Sequence, residues 1–261
     1  MDRSRILAAV FFAQQSGWQF PLFAGLVGLV IGSFLATVAL RWPAGRSVAT
    51  GRSACDQCGR TLRWWELLPL LSWLALGGRC GRCGGAIDVR HPAVEAAAGL
   101  LALLLSVLLP PPAALAGMGL GWTLLLLTLL DLDHYWLPDR LTVPLLAAGL
   151  AVGAIGIGPA WPDRAIGAAA GWGTLALVAW GYRRWRGRTG LGGGDPKLFG
   201  AIGAWVGWAM LPMVLLIASL CGIALVLGAA TLGRRMTATT RIPFGPMLAL
   251  AGLVGWIGVA G

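Results

Sequence analysis

The chain has 261 residues, of which 57% are hydrophobic and only 11% are charged, and its mean hydropathy is +0.77. A soluble domain carries roughly a quarter charged residues, so this composition excludes an ordinary soluble globular protein. The formal net charge of +10 suggests nucleic acid, but the aromatic residues lie within or beside apolar runs and not in a basic patch. We therefore expect a membrane protein with no nucleic-acid partner.

Eight apolar runs along the chain approach the length that a membrane-spanning helix needs, which is about 17 to 25 residues. These runs are predicted to span at 20–40, 92–109, 113–130, 141–157, 165–182, 198–210, 212–232 and 243–260. The sixth run is the shortest, so its limits are the least well defined. The pattern predicts an all-α polytopic membrane protein with about eight transmembrane helices.

The basic residues lie almost entirely on one side of these predicted spans. If the N-terminus is outside, the segments 41–91, 131–140, 183–197 and 233–242 are inside, and only Arg3, Arg5 and Arg164 of the 20 basic residues remain outside. An excess of Lys and Arg marks the cytoplasmic side of a membrane protein. The charges thus predict that both termini are outside and that most of the polar residues face the cytoplasm.

Residues 41–91 form the one sizeable segment that is predicted to lie outside the membrane, between the first two spans. It contains two Cys-x-x-Cys pairs, Cys55 with Cys58 and Cys80 with Cys83, and a glycine follows each pair. Two such pairs can present four thiolates tetrahedrally to one Zn²⁺, and a reducing cytoplasm disfavours stable disulfides. The segment is therefore predicted to hold a structural zinc ion. Redox-active or unligated thiols are the alternative.

The stretch between the two cysteine pairs, residues 64–74, is apolar and rich in tryptophan. A proline interrupts it, and it is too short to cross a bilayer. This pattern favours a segment that lies in the membrane interface, held there by the zinc site. A small hydrophobic core within the loop is the alternative.

Two aspartates at the predicted inner membrane boundary are candidates for catalysis. Asp131 ends the third apolar run, and Asp195 follows three glycines just before the sixth. Carboxylates at membrane depth are costly and are functional candidates by default. Two carboxylates brought close share one proton, as in an aspartic protease, where the charged one activates water and the protonated one polarises the scissile carbonyl. The alternative is that they cap helices, and the pattern alone leaves Asp131, Asp133 and Asp139 open as the first partner.

At these residues the sequence resembles the type IV prepilin peptidases. Residues 131–139 are similar to that family's first aspartate motif, and residues 192–197 are similar to its GxGDxK motif. The resemblance implies that Asp131 and Asp195 are the catalytic pair. It also implies six supporting residues, namely Gly192, Gly194, Lys197, Asp133, Pro138 and Asp139.

The resemblance extends over almost the whole chain, through motifs at 32–35, 41–43, 69–73, 90–95 and 242–246. It implies an N-terminal segment with the first transmembrane helix over 1–42, a cytoplasmic cysteine (zinc) segment over 43–91, and a seven-helix membrane aspartic protease core over 92–261. The sequence departs from the family pattern at Ala36, where an asparagine is usual, and at Trp42, where a leucine is usual.

The resemblance also implies the function and the location. Members cleave the short basic leader of type IV prepilins or type II secretion pseudopilins in the bacterial inner membrane, with the active site facing the cytoplasm and, here, both termini in the periplasm. Those bearing a cysteine segment commonly also methylate the new N-terminus with S-adenosylmethionine, for which no binding residues are assigned. The expected partners are these substrates and membrane lipid. The alternatives are a related intramembrane aspartic protease with another substrate, and a transporter or assembly scaffold, which predicts acids near mid-span.

Overall fold

The computed structural model describes residues 17–48, 53–55, 57–233 and 242–261. The α-helices in these ranges are α1 Gln19–Arg41, α2 Leu71–Ala75, α3 Arg90–Leu108, α4 Pro111–His134, α5 Asp139–Ala154, α6 Trp161–Arg186, α7 Asp195–Val206, α8 Leu211–Thr231 and α9 Gly245–Ala260. Short 3-10 turns occur at Trp64–Leu67 and Trp208–Met210. Each of the eight predicted spans overlaps one of these helices.

Within the ranges that the structure describes, five segments are long and apolar enough to cross a membrane, judged by length and composition. They are α1, α3, α4, α6 and the segment Trp208–Thr231, which contains α8. Helix α9 is apolar but has 16 residues. The prediction of an all-helical, polytopic membrane protein is confirmed.

Helix α7 differs most from its predicted span over 198–210. It begins earlier, at Asp195, and ends at Val206, so it has 12 residues and a length of about 18 Å against about 30 Å for the hydrocarbon core of a bilayer. Gly207 ends the helix because it takes a left-handed φ of +77°. Every residue of α7 except Lys197 is buried. The run is therefore apolar because protein surrounds it, and not because it faces lipid along a full span.

The chain divides into two compact units, residues 1–118 and 119–261. In the first unit, α1 and α3 pack closely through glycines. A Cβ atom at Gly28 would lie 2.6 Å from the carbonyl oxygen of Ala98, and one at Gly32 would lie 2.6 Å from the Cα atom of Glu95. Small residues of this kind let helix backbones approach each other in membrane proteins.

In the second unit, the same kind of contact surrounds α7. A Cβ atom at Gly171 of α6 would lie 2.7 Å from the carbonyl oxygen of Phe199, and one at Gly149 of α5 would lie 2.7 Å from the Trp205 ring. Helix α9 contributes Gly252, where a Cβ atom would lie 3.0 Å from the Ile202 side chain. Helix α7, which begins with Asp195, is thus held tightly by α5, α6 and α9.

Candidate active site and metal centre

The structure brings together two of the aspartates that the sequence singled out. Asp131 lies in the last turn of α4, and Asp195 is the first residue of α7. Each is only 5% exposed, and the two carboxyl groups are close enough to interact electrostatically. The two carboxyl groups therefore share one buried site, although 63 residues separate them in the sequence.

A main-chain N–H group orients each carboxylate. The N–H of Gly192 donates to Asp195 Oδ2 over 2.9 Å, and the N–H of Gly245 donates to Asp131 Oδ2 over 2.9 Å. Gly245 is the first residue of α9, where N–H groups have no partner within the helix and the helix dipole favours a negative charge. The start of α9 therefore serves as the binding partner of the Asp131 carboxylate.

Three glycines leave room for these contacts. A Cβ atom would lie 2.6 Å from Asp131 Oδ2 at Gly245, and 3.0 Å from Asp195 Oδ2 at Gly192. At Gly194, a Cβ atom would lie 2.6 Å from the Leu137 Cβ atom. Gly192 and Gly194 were predicted as supporting residues, whereas Gly245 and Leu137 were not. Both residues lie in family motifs, Gly245 at 242–246 and Leu137 at 131–139, but their contacts with the aspartates and glycines of the site depend on tertiary packing.

A second polar contact joins the first turns of α5 and α7. Lys197 Nζ lies 2.7 and 2.8 Å from the two carboxylate oxygens of Asp139. The side chains are 44% and 61% exposed, and an exposed pair of this kind stabilises a fold by about 1 kcal/mol or less. Pro138, which is buried, precedes α5 and accepts hydrogen bonds from the N–H groups of Leu141 and Thr142. These predicted supporting residues therefore hold the start of α5 beside α7.

The structure distinguishes the three aspartates that the pattern alone left open as the first partner. Asp131 is buried beside Asp195, Asp139 forms the ion pair with Lys197, and Asp133 is exposed. Helix α4 ends at His134, directly after Asp133, because Tyr135 takes a left-handed φ of +50°, a conformation that often closes a helix but is uncommon for a residue other than glycine.

The four cysteines of the two Cys-x-x-Cys pairs form one cluster in the first unit. All four Sγ atoms lie within 4.8 Å of one another, and Cys55 Sγ lies 3.9 Å from Cys83 Sγ. Tetrahedral zinc with Zn–S bonds of about 2.3 Å requires sulfur atoms about 3.8 Å apart. The donor set and its spacing therefore fit one zinc ion. Cys221, in α8, is not part of the cluster.

The backbone of each cysteine pair forms the same turn. The carbonyl of Cys55 accepts from the N–H of Gly59, and the carbonyl of Cys80 accepts from the N–H of Gly84, both over 2.9 Å. Both glycines take a φ of +67°, which explains why a glycine follows each pair. Main-chain N–H groups of Cys83 and Arg82 lower the pKa of the Cys80 thiol to about 6. The thiolate, which is the form that binds metal, is thereby favoured at neutral pH.

A buried carboxylate in the first unit anchors the segment between the cysteine pairs. Glu95, 5% exposed, accepts a hydrogen bond from the N–H of Leu70 over 2.8 Å, and Leu70 takes an unfavourable φ of +58°. His91 Nε2 lies 3.7 Å from Glu95 Oε1 and 3.4 Å from Ser33 Oγ. Glu95 lay within a motif but was not predicted as a site residue. Its carboxylate connects the main chain at Leu70 to helix α3.

Comparison with known proteins agrees with this arrangement. A family model described as "Type IV leader peptidase family" matches residues 118–227, and one described as "Bacterial Peptidase A24 N-terminal domain" matches residues 26–109. A protein of Burkholderia pseudomallei named "Prepilin leader peptidase/N-methyltransferase" is 42% identical, over 94% of this chain and 87% of its own. The chain belongs to the type IV leader peptidase family. The predicted family is thus confirmed.

Further members of the family carry the same name. One from Pseudomonas aeruginosa is 39% identical over 91% of this chain and 89% of its own length. One from Aeromonas salmonicida is 44% identical over 79% of this chain and 70% of its own length. No solved structure is significantly similar to the chain. The leader peptidase match includes Asp131 and Asp195, and the N-terminal match includes the cysteine cluster and Glu95. Gly245 lies beyond both matched ranges.

Proposed function

We propose that this protein is a prepilin peptidase that uses Asp131 and Asp195 as a catalytic pair. The observation that carries the proposal is the buried pair of carboxyl groups, each bound by one main-chain N–H group. Relatives that share 38 to 44% of their residues with this chain are named prepilin leader peptidases. The substrates are precursors of type IV pilins or type II secretion pseudopilins with a short basic leader before an apolar helix.

The reaction needs one carboxyl group in each protonation state. The charged carboxylate takes a proton from a water molecule, and the water oxygen attacks the scissile carbonyl carbon while the protonated carboxyl group donates to the carbonyl oxygen. As the tetrahedral intermediate collapses, the C–N bond breaks and the leaving amine takes a proton from a carboxyl group. In both aspartates the bond from the main-chain N–H group goes to Oδ2, which leaves Oδ1 available for the proton that is exchanged with water, substrate or the partner carboxyl group.

The main chain next to Asp195 is suited to binding an extended substrate. Gly192 and Gly193 are exposed, and a Cβ atom at Gly193 would meet nothing within 4 Å. Exposed main chain without side chains can pair with a substrate strand through backbone hydrogen bonds, as in other peptide-binding proteins. The substrate's apolar helix would then lie in the membrane with its leader junction at the aspartates.

Leader cleavage in membrane vesicles tests this function and its orientation. We expect inside-out inner-membrane vesicles containing the protein to cut an added precursor at the leader junction, and sealed right-side-out vesicles to leave it intact. The products are identified by mass. Cleavage of another membrane peptide but of no leader would indicate a related protease with a different substrate. Absence of any cleavage would favour a transporter or scaffold.

We also propose that the cysteine cluster holds one structural zinc ion, which would tie the segments around the two pairs together. Replacing Cys58 by Ser removes one of four ligands, and we expect zinc per chain to fall from about one to below about 0.2, because structural sites need the full tetrahedral set. Zinc is measured by elemental analysis of the purified protein.

Cys221→Ser is the matched control, since Cys221 lies outside the cluster, and it should retain its zinc. Retention of zinc by Cys58→Ser would contradict the assignment. Formation of a disulfide between the pairs in freshly isolated protein would favour the redox alternative.

N-methylation of the new N-terminus by S-adenosylmethionine is the second activity that we propose. It is supported by the names of the relatives, which include N-methyltransferase.

In the first unit the described carboxylates are each bound to groups of the protein itself: Glu66 to Arg60, Asp88 to the N–H of Arg90, and Glu95 to the N–H of Leu70. No residue is therefore assigned to the methyl donor. A cleaved product that gains one methyl group only when S-adenosylmethionine is added would support the activity, and an unmodified product would oppose it.

We further propose that residues 64–74 lie in the bilayer interface on the cytoplasmic side. Trp64, Leu71 and Leu74 are 72%, 65% and 66% exposed, and the Arg63 guanidinium lies 5.1 Å from the Trp65 ring centre. Exposed aromatic and aliphatic side chains next to arginine suit the boundary between acyl chains and anionic headgroups. A photo-crosslinking amino acid at position 71 should capture lipid, whereas one at the exposed position 88 should not. Equal capture at both positions would contradict the proposal.

A further inference from the structure

Arg164, in the first turn of α6, is completely buried, with 0% of its surface exposed. The distribution of charges in the sequence predicted that Arg164 is one of three basic residues on the outer side of the membrane. An arginine in a loop there would be exposed to water. Burying a guanidinium group costs several kcal/mol unless its N–H groups are bonded. A buried Arg164 side chain must therefore find hydrogen-bond acceptors within the protein.

The guanidinium group binds main-chain carbonyl oxygens. Its Nε donates to Pro159 over 2.9 Å, and one terminal nitrogen donates to Gly149 over 2.7 Å and to Ala204 over 3.1 Å. The other terminal nitrogen donates to Ile157. In the described part of the chain all of its hydrogen bonds go to carbonyl oxygens, and no carboxylate pairs with it.

Aromatic packing adds a third helix to the contacts of Arg164. The guanidinium carbon lies 5.6 Å from the ring centre of Trp256 in α9. Trp256 packs edge-on against Trp205 of α7 at 5.3 Å, and Trp205 Nε1 donates to the carbonyl of Leu145 in α5 over 2.8 Å. Arg164 thus joins α5, α7 and α9 to the start of α6.

The cavity around Arg164 is shaped for this side chain. A Cβ atom at Gly153 would collide with the Arg164 Cδ atom, and one at Gly158 would lie 2.8 Å from a terminal nitrogen. Gly158 also takes a φ of +76°. The absence of a side chain at Gly153 and Gly158 therefore makes space for the Arg164 side chain.

The three helices that Arg164 joins are those that begin at the active site. Helix α5 begins with Asp139, α7 with Asp195 and α9 with Gly245. Their contacts with Arg164, at Gly149, Ala204 and Trp256, come nine to eleven residues later, which is about 14–17 Å along a helix. The Arg164 side chain therefore contacts all three helices at a similar distance from their ends at the active site.

We propose that Arg164 is a positioning residue for the proposed aspartic protease site. Ala204 lies in the last turn of α7, where carbonyl groups lack a partner within the helix and the dipole favours a positive charge. Arg164 supplies both the donor and the charge. By holding α7 relative to α9, it keeps Asp195 in register with Gly245 and hence with Asp131. The inference rests on the proposed function of that pair.

Substitution of Arg164 tests this role through kinetics and through a distance. In Arg164→Met that remains folded by circular dichroism, we expect kcat for leader cleavage to fall about 10- to 100-fold, because a misplacement of about 1 Å costs that much, with KM within about twofold. The pH–rate profile should also shift, because the coupling between the two carboxyl groups depends on their separation. Arg184→Met, at an exposed position of the same helix, should match the wild type.

Arg164→Lys keeps the charge but loses the planar fork, so its kcat should be intermediate, and it serves as the test if the methionine variant does not fold. A wild-type kcat and pH–rate profile in a folded variant at position 164 would overturn the proposal.

A measurement without catalysis separates this inference from the proposed function. Nitroxide labels introduced as noncanonical amino acids at positions 133 and 193 report the distance between the ends of α4 and α7. We expect a narrow distance distribution in the wild type and a broader or shifted one in Arg164→Met. An unchanged distribution would oppose the positioning role even in a protein that cuts no leader.

Discussion

Asp131→Asn and Asp195→Asn are each expected to lower kcat for leader cleavage by at least about 10³-fold. Asparagine has nearly the same size and can still accept the hydrogen bond from Gly245 or Gly192. It cannot exchange a proton with water or with the leaving amine. The loss should therefore appear in kcat, in protein that inserts and folds normally, when cleavage of a purified precursor is followed by mass.

Asp133→Asn is the matched control, because Asp133 is exposed and lies only two residues from Asp131. The resemblance implies only a supporting role for Asp133, so this variant should lose less than about tenfold in kcat, far less than Asp131→Asn. Asp139→Asn removes the ion pair with Lys197 and should have a modest effect. If Asp133→Asn stopped the reaction while Asp131→Asn did not, the first catalytic partner would be wrongly assigned.

Gly245→Ala is expected to lower kcat/KM by about 100-fold, because it displaces the carboxylate that Gly245 binds. The added methyl group would lie 2.6 Å from Asp131 Oδ2 and 3.3 Å from the Leu137 side chain. Both contacts are too short, so the carboxylate or the start of α9 must move. Steady-state kinetics of precursor cleavage measure the effect.

Gly258→Ala provides the control in the same helix. A Cβ atom there would lie 3.6 Å from the end of the Met210 side chain, an ordinary contact, and alanine favours a helix over glycine. We expect unchanged kinetics for Gly258→Ala. Wild-type activity in both variants would show that the reaction does not depend on the close approach of Asp131 to the start of α9.

The membrane-spanning helices were predictable where lipid dictates the sequence. Helices α6 and α8 bury little of their apolar length within the protein, so the side chains along them must be apolar and their runs of apolar residues mark them directly. Helix α7 is apolar for a different reason, burial within protein, and the same pattern predicted a span that continues four residues beyond its end at Val206. Its true end depends on the left-handed φ of Gly207, which hydropathy does not report.

The candidate site was predictable only in part. The regular spacing of the cysteines predicted a four-thiol cluster, because short turns of fixed form place such ligands. The aspartates needed a family resemblance, since pattern alone could not choose between Asp131, Asp133 and Asp139. Gly245 donates to a carboxylate 114 positions away, and Arg164 was counted as a loop charge. Both roles depend on tertiary packing, which a local pattern does not contain.

Asp131 and Asp195 are proposed to act as one unit in the reaction, and a variant with both residues replaced tests this most directly. Residual cleavage should be compared in Asp131→Asn, Asp195→Asn and the variant that carries both changes. Residues that act together in one step are strongly non-additive, so the double variant should be about as slow as either single variant. A double variant slower by the product of the two single effects would mean that the aspartates act independently, and the paired mechanism would be wrong.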